Sequence, residues 1–179
     1  MVKFEFMDKN TDYEEIANFI VENKSYFKNP YWCFTDSFDE AYKVRSIVLK
    51  DGVGIAARVD NKLVGIAIIT FYRNNTEVHK AKKKRELEKM LGLPKSTKVA
   101  AMDIQIVDHT YYGHGLQRQL LCECEEYLKR LGYTAFYATV HPLNKYSKNN
   151  FLSLGYEVVL TIYGIYGVLY DRDVVLKLI

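Results

Sequence analysis

The stretch VDHTYYGHGLQRQL, residues 107–120, carries a strand into a helix through the turn Gly113-His114-Gly115. Residues 99–107, VAAMDIQIV, read as the strand. After the turn, Leu116, Leu120, Cys124, Tyr127, Leu128 and Leu131 recur at helical spacing, and Gly132 ends the run. Glycine at 113 and 115 lets a ligand approach the main chain closely. The amides of residues 113–118 stand at a helix start, where the helix offers them no carbonyl and its dipole adds partial positive charge. Such a turn suits phosphate groups, a pyrophosphate in particular.

Taken alone, the turn leaves several readings open. A dinucleotide fingerprint wants a third glycine where this chain has Arg118, and it belongs to an opening βαβ unit rather than a late one. A Walker loop needs Gly-Lys followed by Ser or Thr, which is absent here. An ordinary strand-to-helix turn that uses glycine for geometry also stands.

Outward from the turn, the chain alternates strands and helices. Residues 2–7 read as a first strand. Thr11-Asp12-Tyr13-Glu14 reads as a capping box before a helix with Ile16, Phe19 and Ile20 inward. Ser37-Phe38-Asp39-Glu40 reads as a second box, before a helix with Ala41, Val44, Ile47 and Val48 inward that ends near Gly52. Residues 54–59 and 63–73 read as a hairpin around Asp60-Asn61-Lys62. A polar, basic insert covers residues 74–98, with a short helix expected over 78–91. Beyond the glycine turn follow a strand at 135–140, a helix at 144–154, and closing strands at 157–163 and 174–179. Between the closing strands, Asp171-Arg172-Asp173 reads as a turn. The order β-α-α-β-β-insert-β-α-β-α-β-β predicts an α/β fold, a mixed sheet covered by helices.

With 179 residues, 49% apolar and 26% charged, and no linker or repeat, one domain over 1–179 is the simplest organisation. A net charge of +3 is low for a protein that lives on nucleic acid. Three cysteines, Cys33, Cys122 and Cys124, form no disulfide framework, and the four histidines show no metal-ligand spacing. No signal peptide or membrane-length apolar run is present, so a cytoplasmic protein without a metal is expected. The 15 tyrosines suit a binding cleft as well as sheet packing.

The flanks of the turn resemble the coenzyme A loop of the GNAT superfamily of N-acetyltransferases, often written V-x-P-x-Y-R-G-x-G-[IL]-G. Val107, Tyr111, Gly113, Gly115 and Leu116 match it. The family then shows N-x-x-A-x-x-x-Y-x-x-x-G-F; here stand Asn144-Lys145-Tyr146-Ser147, Phe151 and Gly155-Tyr156. The resemblance implies a GNAT-like sheet of six to seven strands, splayed as a V between its central strands. It implies acetyl-CoA as cosubstrate, bound in that V. The backbone of Gln105, Ile106 and Val107 would pair with the pantetheine arm. Tyr112, Gly113, His114, Gly115, Leu116, Gln117 and Arg118 would surround the pyrophosphate. Asn144 and Ser147 would meet the pantetheine region, and Lys145 and Lys148 the phosphates.

The implied activity is transfer of the acetyl group to a primary amine of a small molecule or peptide, by direct attack in a ternary complex. The chain departs from the family pattern at His109, Thr110, Tyr112 and Gln117 in the loop. It also departs at two catalytic positions: Phe151 replaces the tyrosine that protonates the leaving thiolate, and Thr139 replaces a frequent glutamate. Those departures keep open a CoA-binding or sensor domain of the same fold.

Asp103 is the candidate general base, and Tyr146 a substitute acid. Strand alternation places Asp103 on one face with Gln105 and Val107, opposite Met102, Ile104 and Ile106. An Asp in an apolar strand needs a cleft or a hydrogen-bonding neighbour, and both remain open. Asp108 and His109 read as turn residues. By the resemblance, the connection after the first helix lines the acceptor site. Tyr31 and Trp32 are candidates there, with Tyr26, Phe27, Phe34 and Asp36 nearby and Tyr163, Tyr166 and Tyr170 opposite. The basic insert (Lys80, Lys82, Lys83, Lys84, Arg85, Lys89) reads as a solvated helix face rather than a nucleic-acid surface. A homodimer is left open, and no membrane partner is expected.

Overall fold

The structure is a computed structural model and describes residues 1–33, 38–71, 86, 89–164 and 171–179. Among the described residues seven strands pair into one sheet: β1 (Lys3–Phe6), β2 (Gly52–Val59), β3 (Lys62–Thr70), β4 (Val99–Val107), β5 (Ala135–Val140), β6 (Glu157–Ile162) and β7 (Arg172–Leu178). Their order is β1-β2-β3-β4-β5-β7-β6. Only the β4–β5 pair is parallel among the described residues. It holds over three residue pairs, from Val99↔Ala135 to Ala101↔Tyr137. Beyond that point β4 runs on to Val107 and β5 to Val140 with no ladder between them, so the sheet opens as a V at its centre.

Helices cover both faces. α1 (Tyr13–Lys24) and α2 (Ala41–Ser46), the latter continued by the π turn Ile47–Asp51, lie on one face. There Ile16, Phe19, Ile20, Val44 and Val48 pack against Ile66, Ile68, Ile104 and Ile106. On the other face lie α3 (Leu116–Arg130) and α4 (Lys145–Ser153). Leu116, Leu120, Leu121, Cys124 and Leu128 pack there on Ala67, Ile69, Met102, Val107, Phe136 and Ala138. Gly65 allows the close approach of α3: a Cβ there would sit 3.0 Å from Leu120 Cδ1 and 3.4 Å from Leu116 Cδ2. The β2–β3 hairpin turns at Asp60 and Asn61, both at positive φ. Among the described residues no helix is long and apolar enough to cross a membrane.

The structure corrects the sequence reading at four places. The cap of α1 is Asp12, whose side chain accepts the Glu15 N–H at 3.0 Å. Thr11 is not free to cap, because its Oγ1 accepts the Asp8 N–H at 2.8 Å. α2 begins after Glu40 with no side-chain cap, while Ser37 lies outside the described residues. The last strand starts at Arg172 rather than Val174, because Arg172 and Asp173 pair with β6 and Asp173 also with Val140.

The fourth correction concerns β4. The β3–β4 register passes from Ile68↔Ile104 to Ile69↔Met102, leaving Asp103 as the extra residue of a β-bulge. A bulge exchanges the faces of the residues on either side. Met102 therefore packs with α3 while Ile104 and Ile106 pack with α1 and α2, instead of all three sharing a face. The expected insert helix lies mostly outside the described residues; Glu86, Lys89 and Met90 are helical.

Candidate active site

At the open end of the V, β4 leads through the 3-10 turn His109–Tyr111 into the glycine turn. Gly113 has φ 82° and Gly115 φ 74°, a region L side chains disfavour. Gly115 is the N-cap of α3, and no side chain caps the helix. The first bond of the ladder runs from Gln119 N–H to Gly115 C=O, so the amides of Leu116, Gln117 and Arg118 precede it. A Cβ on Gly113 or Gly115 would meet nothing within 4 Å, so the turn faces open space rather than the core. An uncapped helix start, bare backbone and open space together form a cradle for an anion.

The entry to this turn is fixed electrostatically. Asp108 accepts the Thr110 N–H at 2.9 Å and its Oγ1–H at 2.7 Å, and Lys62 Nζ lies 2.9 Å from its other oxygen. Burial pushes this carboxyl up, but the bonds from Lys62 and Thr110 outweigh it and hold the pKa at about 2. Asp108 is thus a charged turn residue at neutral pH, as its sequence position suggested.

The pantetheine candidates divide. Gln105 is half-buried on β4, and its Nε2 has no acceptor among the described residues. Ile106 and Val107 are buried on opposite faces, so only their backbone can meet a ligand. The Leu116 side chain is core, while Tyr112, His114 and Arg118 are exposed around the turn. Gln117 and Ser147 join each other across α3 and α4: Gln117 Nε2 donates to Ser147 Oγ at 3.0 Å, and Asn150 Nδ2 donates to Gln117 Oε1 at 2.9 Å. Asn144 caps α4 by accepting the Ser147 N–H. Lys148 departs from expectation. Its ammonium bonds the Pro142 carbonyl at 2.9 Å and the buried Asp173 carboxylate at 2.8 Å, which directs it at β7 rather than at a phosphate.

The bulge also re-aims Asp103. Thr70 Oγ1 donates to Asp103 Oδ2 at 2.5 Å, and Thr70 shares the face of Ile66 and Ile68 by alternation along β3. Asp103 therefore faces the α1–α2 side, whereas Gln105 and Val107 face α3. Phe151 is 1% exposed and meets Tyr156 edge-on at 5.0 Å, well inside the α3-side core. A hydroxyl at that position would need its own buried partner. Tyr146 is exposed and points toward the 3-10 turn Pro30–Trp32, with its ring 6.3 Å from that of Trp32 and Lys28 Nζ 5.7 Å above it. Tyr31 and Trp32 lie on that turn, and Tyr163 is exposed at the end of β6. Phe34, Asp36, Tyr166 and Tyr170 lie outside the described residues.

Sequence reasoning passed over three features of this region. His141, just past β5, is 8% exposed and accepts the Leu143 N–H on Nδ1, which leaves its ring proton on Nε2. Burial and the Arg172 charge hold its pKa below the usual histidine value. Tyr26 and His109 stack at 3.7 Å with 14° between planes, joining the chain after α1 to the end of β4. Arg172 is 2% exposed and donates to the Tyr31 carbonyl 141 residues away. No local pattern announces contacts at such separations.

The sequence profile of the acetyltransferase (GNAT) family matches residues 14–156, and the chain belongs to that family. A comparison with curated protein sequences found no match. Among solved structures, a GNAT-family protein of Desulfovibrio desulfuricans superposes with a TM-score of 0.71 at 15% identity, covering 99% of each chain. Aminoglycoside 6'-acetyltransferase type Ii superposes at 0.68 with 14% identity, over 98% of this chain and 96% of that one. The YncA protein of Salmonella typhimurium, solved with acetyl-CoA, superposes at 0.64 with 18% identity, over 99% and 94%. At such identities the likeness is one of fold, and the fold is that of the GNAT acetyltransferases.

Proposed function

We propose that the protein is a single-domain N-acetyltransferase that moves the acetyl group of acetyl-CoA to a primary amine of a small molecule or peptide. The observation that carries this reading is the glycine turn at the open end of the V: an uncapped helix start with two left-handed glycines facing open space. Gly113 to Arg118 would hold the pyrophosphate through backbone amides, with the exposed Arg118 and His114 beside it. The β4 edge at Gln105, Ile106 and Val107, left unpaired with β5, would meet the pantetheine, and the unpartnered Gln105 Nε2 and Asn144 would add side-chain donors. The bound thioester supplies an activated acetyl group.

The chain's own residues act on the amine. A Lys-like amine arrives protonated, with pKa ~10. Asp103, on the α1–α2 face, takes that proton directly or through water. The amine nitrogen then bonds the acetyl carbon as the carbon–sulfur bond breaks, and the second proton, shed as the nitrogen becomes an amide, passes to the departing thiolate or to water. With Phe151 in the core, the CoA thiolate leaves without a tyrosine acid, which its thiol pKa, about 8.5 as for cysteine, tolerates. A covalent acetyl-enzyme is disfavoured: burial pushes the Cys33 thiol up to about 12, and Cys122 and Cys124 are also raised chiefly by burial. Tyr31, Trp32 and Tyr163 would line the acceptor side, with Tyr146 beside them.

Buried Phe151 also favours a second reading, a CoA-binding or sensor domain with little turnover. Thiol release from acetyl-CoA over a panel of polyamines, aryl amines, aminoglycosides and alanine-first peptides separates the two. An amine-dependent release at least ~10-fold above the amine-free rate is expected. Binding of acetyl-CoA with no release for any amine would favour the sensor.

A further inference from the structure

Residues 25–33 cross the open end of the V on its α1–α2 face. At one end, Tyr26 stacks on His109 beside the end of β4. At the other, Tyr31 and Trp32 stand over β7 and α4, with Trp32 against Tyr146. Phe27 and Cys33 pack on the α1–α2 core, while Tyr31 and Trp32 are half-buried and the 3-10 turn buries no residue fully. Asn29 caps that turn by accepting the Tyr31 N–H at 2.8 Å, but this bond is local.

A long-range hydrogen bond to this segment comes from Arg172. Its Nη2 donates to the Tyr31 carbonyl at 2.9 Å and its Nη1 to the Asp171 carbonyl at 2.8 Å. The guanidinium is almost wholly buried at the start of β7, beside the end of β5 through the Asp173↔Val140 pair. A planar fork held at two carbonyls fixes direction as well as distance, which an ammonium cannot match. We propose that Arg172 is the positioning residue of the acceptor wall: it anchors the strap of residues 25–33 across the cleft, with the Tyr26–His109 stack as the opposite pin. The amine then meets Tyr31 and Trp32 in one arrangement. Loss of the anchor weakens amine binding without touching the CoA cradle on the far side of β4. The inference rests on the acceptor reading above only in its kinetic part.

Trp32 is the sole tryptophan, so its emission, excited on the red edge where the 15 tyrosines do not absorb, reports the strap alone. Its Nε1 is buried, which predicts weak quenching by acrylamide in the unaltered protein. In Arg172→Met the quenching constant is expected to rise about twofold or more as the turn loses its fork, with Arg172→Lys between the two. The acetyl-CoA dissociation constant, read by calorimetry, stays within about twofold. In thiol release with spermidine, tyramine and an alanine-first peptide as probe amines, KM for the amine rises about tenfold while kcat changes little.

Where Arg172→Met does not fold, Arg172→Lys and Tyr26→Ala at the exposed opposite pin carry the test. Unchanged Trp32 quenching in both, or in folded Arg172→Met, overturns the anchor, as does an acetyl-CoA affinity that falls in parallel with that for the amine. If the unaltered protein turns over none of the three amines but quenching changes as stated, the anchor stands and the acetyl-transfer reading is what fails.

Discussion

Gly115→Val is expected to weaken acetyl-CoA binding about 100-fold while leaving the fold standing. Gly115 caps α3 at φ 74°, where an L residue costs about 1–2 kcal/mol and a β-branched one is worse. Relief of that strain swings the peptide planes of the turn, so the amides that precede the ladder no longer converge. Hydrogen bonds to a charged group contribute about 1.5–3 kcal/mol each, so losing two costs about 3 kcal/mol or more, and the factor of about 100 follows. Nothing lies within 4 Å of the added Cβ, so the core is not disturbed and Tm should fall by only about 5 °C. Gly92→Val is the matched control: it has the same sign of φ (63°) and the same open surroundings, away from the turn. Calorimetric titration of both variants checks the claim, and equal affinities in the two would remove the turn from the binding site.

Asp103→Asn is expected to lower kcat about 100-fold near neutral pH, within the range found for a general base, with acetyl-CoA affinity unchanged. The amide keeps an oxygen for the Thr70 hydroxyl, so the bulge should survive. The distinguishing readout is pH. A base is needed only while the amine arrives protonated, so the defect should shrink as pH approaches the amine's own pKa of ~10. A purely structural Asp103 predicts a different pattern: a lower Tm and a rate defect that does not depend on pH.

The glycine turn, its strand and its helix were legible because each obeys a local rule: bare backbone at a helix start, then one apolar stripe from Leu116 to Leu128. The opening between β4 and β5 followed from the family resemblance, and the register bears it out. The bulge at Asp103 was not legible. Both faces of β4 are covered by helices, so Met102, Ile104 and Ile106 are apolar whichever way they point, and polarity cannot mark the exchange of faces. That hidden exchange turns Asp103 from the Gln105 side to the α1–α2 face, where the proposed acceptor wall lies.

Arg172 and Asp173 read as turn residues because charged triplets usually are. Their burial depends on a carbonyl 141 residues away and on Lys148 of α4, contacts that only the folded sheet creates. Lys148, which the resemblance assigned to a phosphate, bonds the acid of β7, a neighbour that only the folded sheet supplies. The cap of α1 moved by one residue because Thr11 and Asp12 compete for the role, and the tie of Thr11 to Asp8 settled it.

The central claim is that the backbone from Gly113 to Arg118 holds acetyl-CoA. Amide-resolved NMR of the 15N-labelled protein during an acetyl-CoA titration tests it most directly. The prediction is saturable 1:1 binding, with the largest amide shifts at Gly113, Gly115, Leu116 and Gln117 and a second group at Gln105 to Val107. Absence of binding at millimolar acetyl-CoA, or saturable shifts that spare the glycine turn, would contradict it.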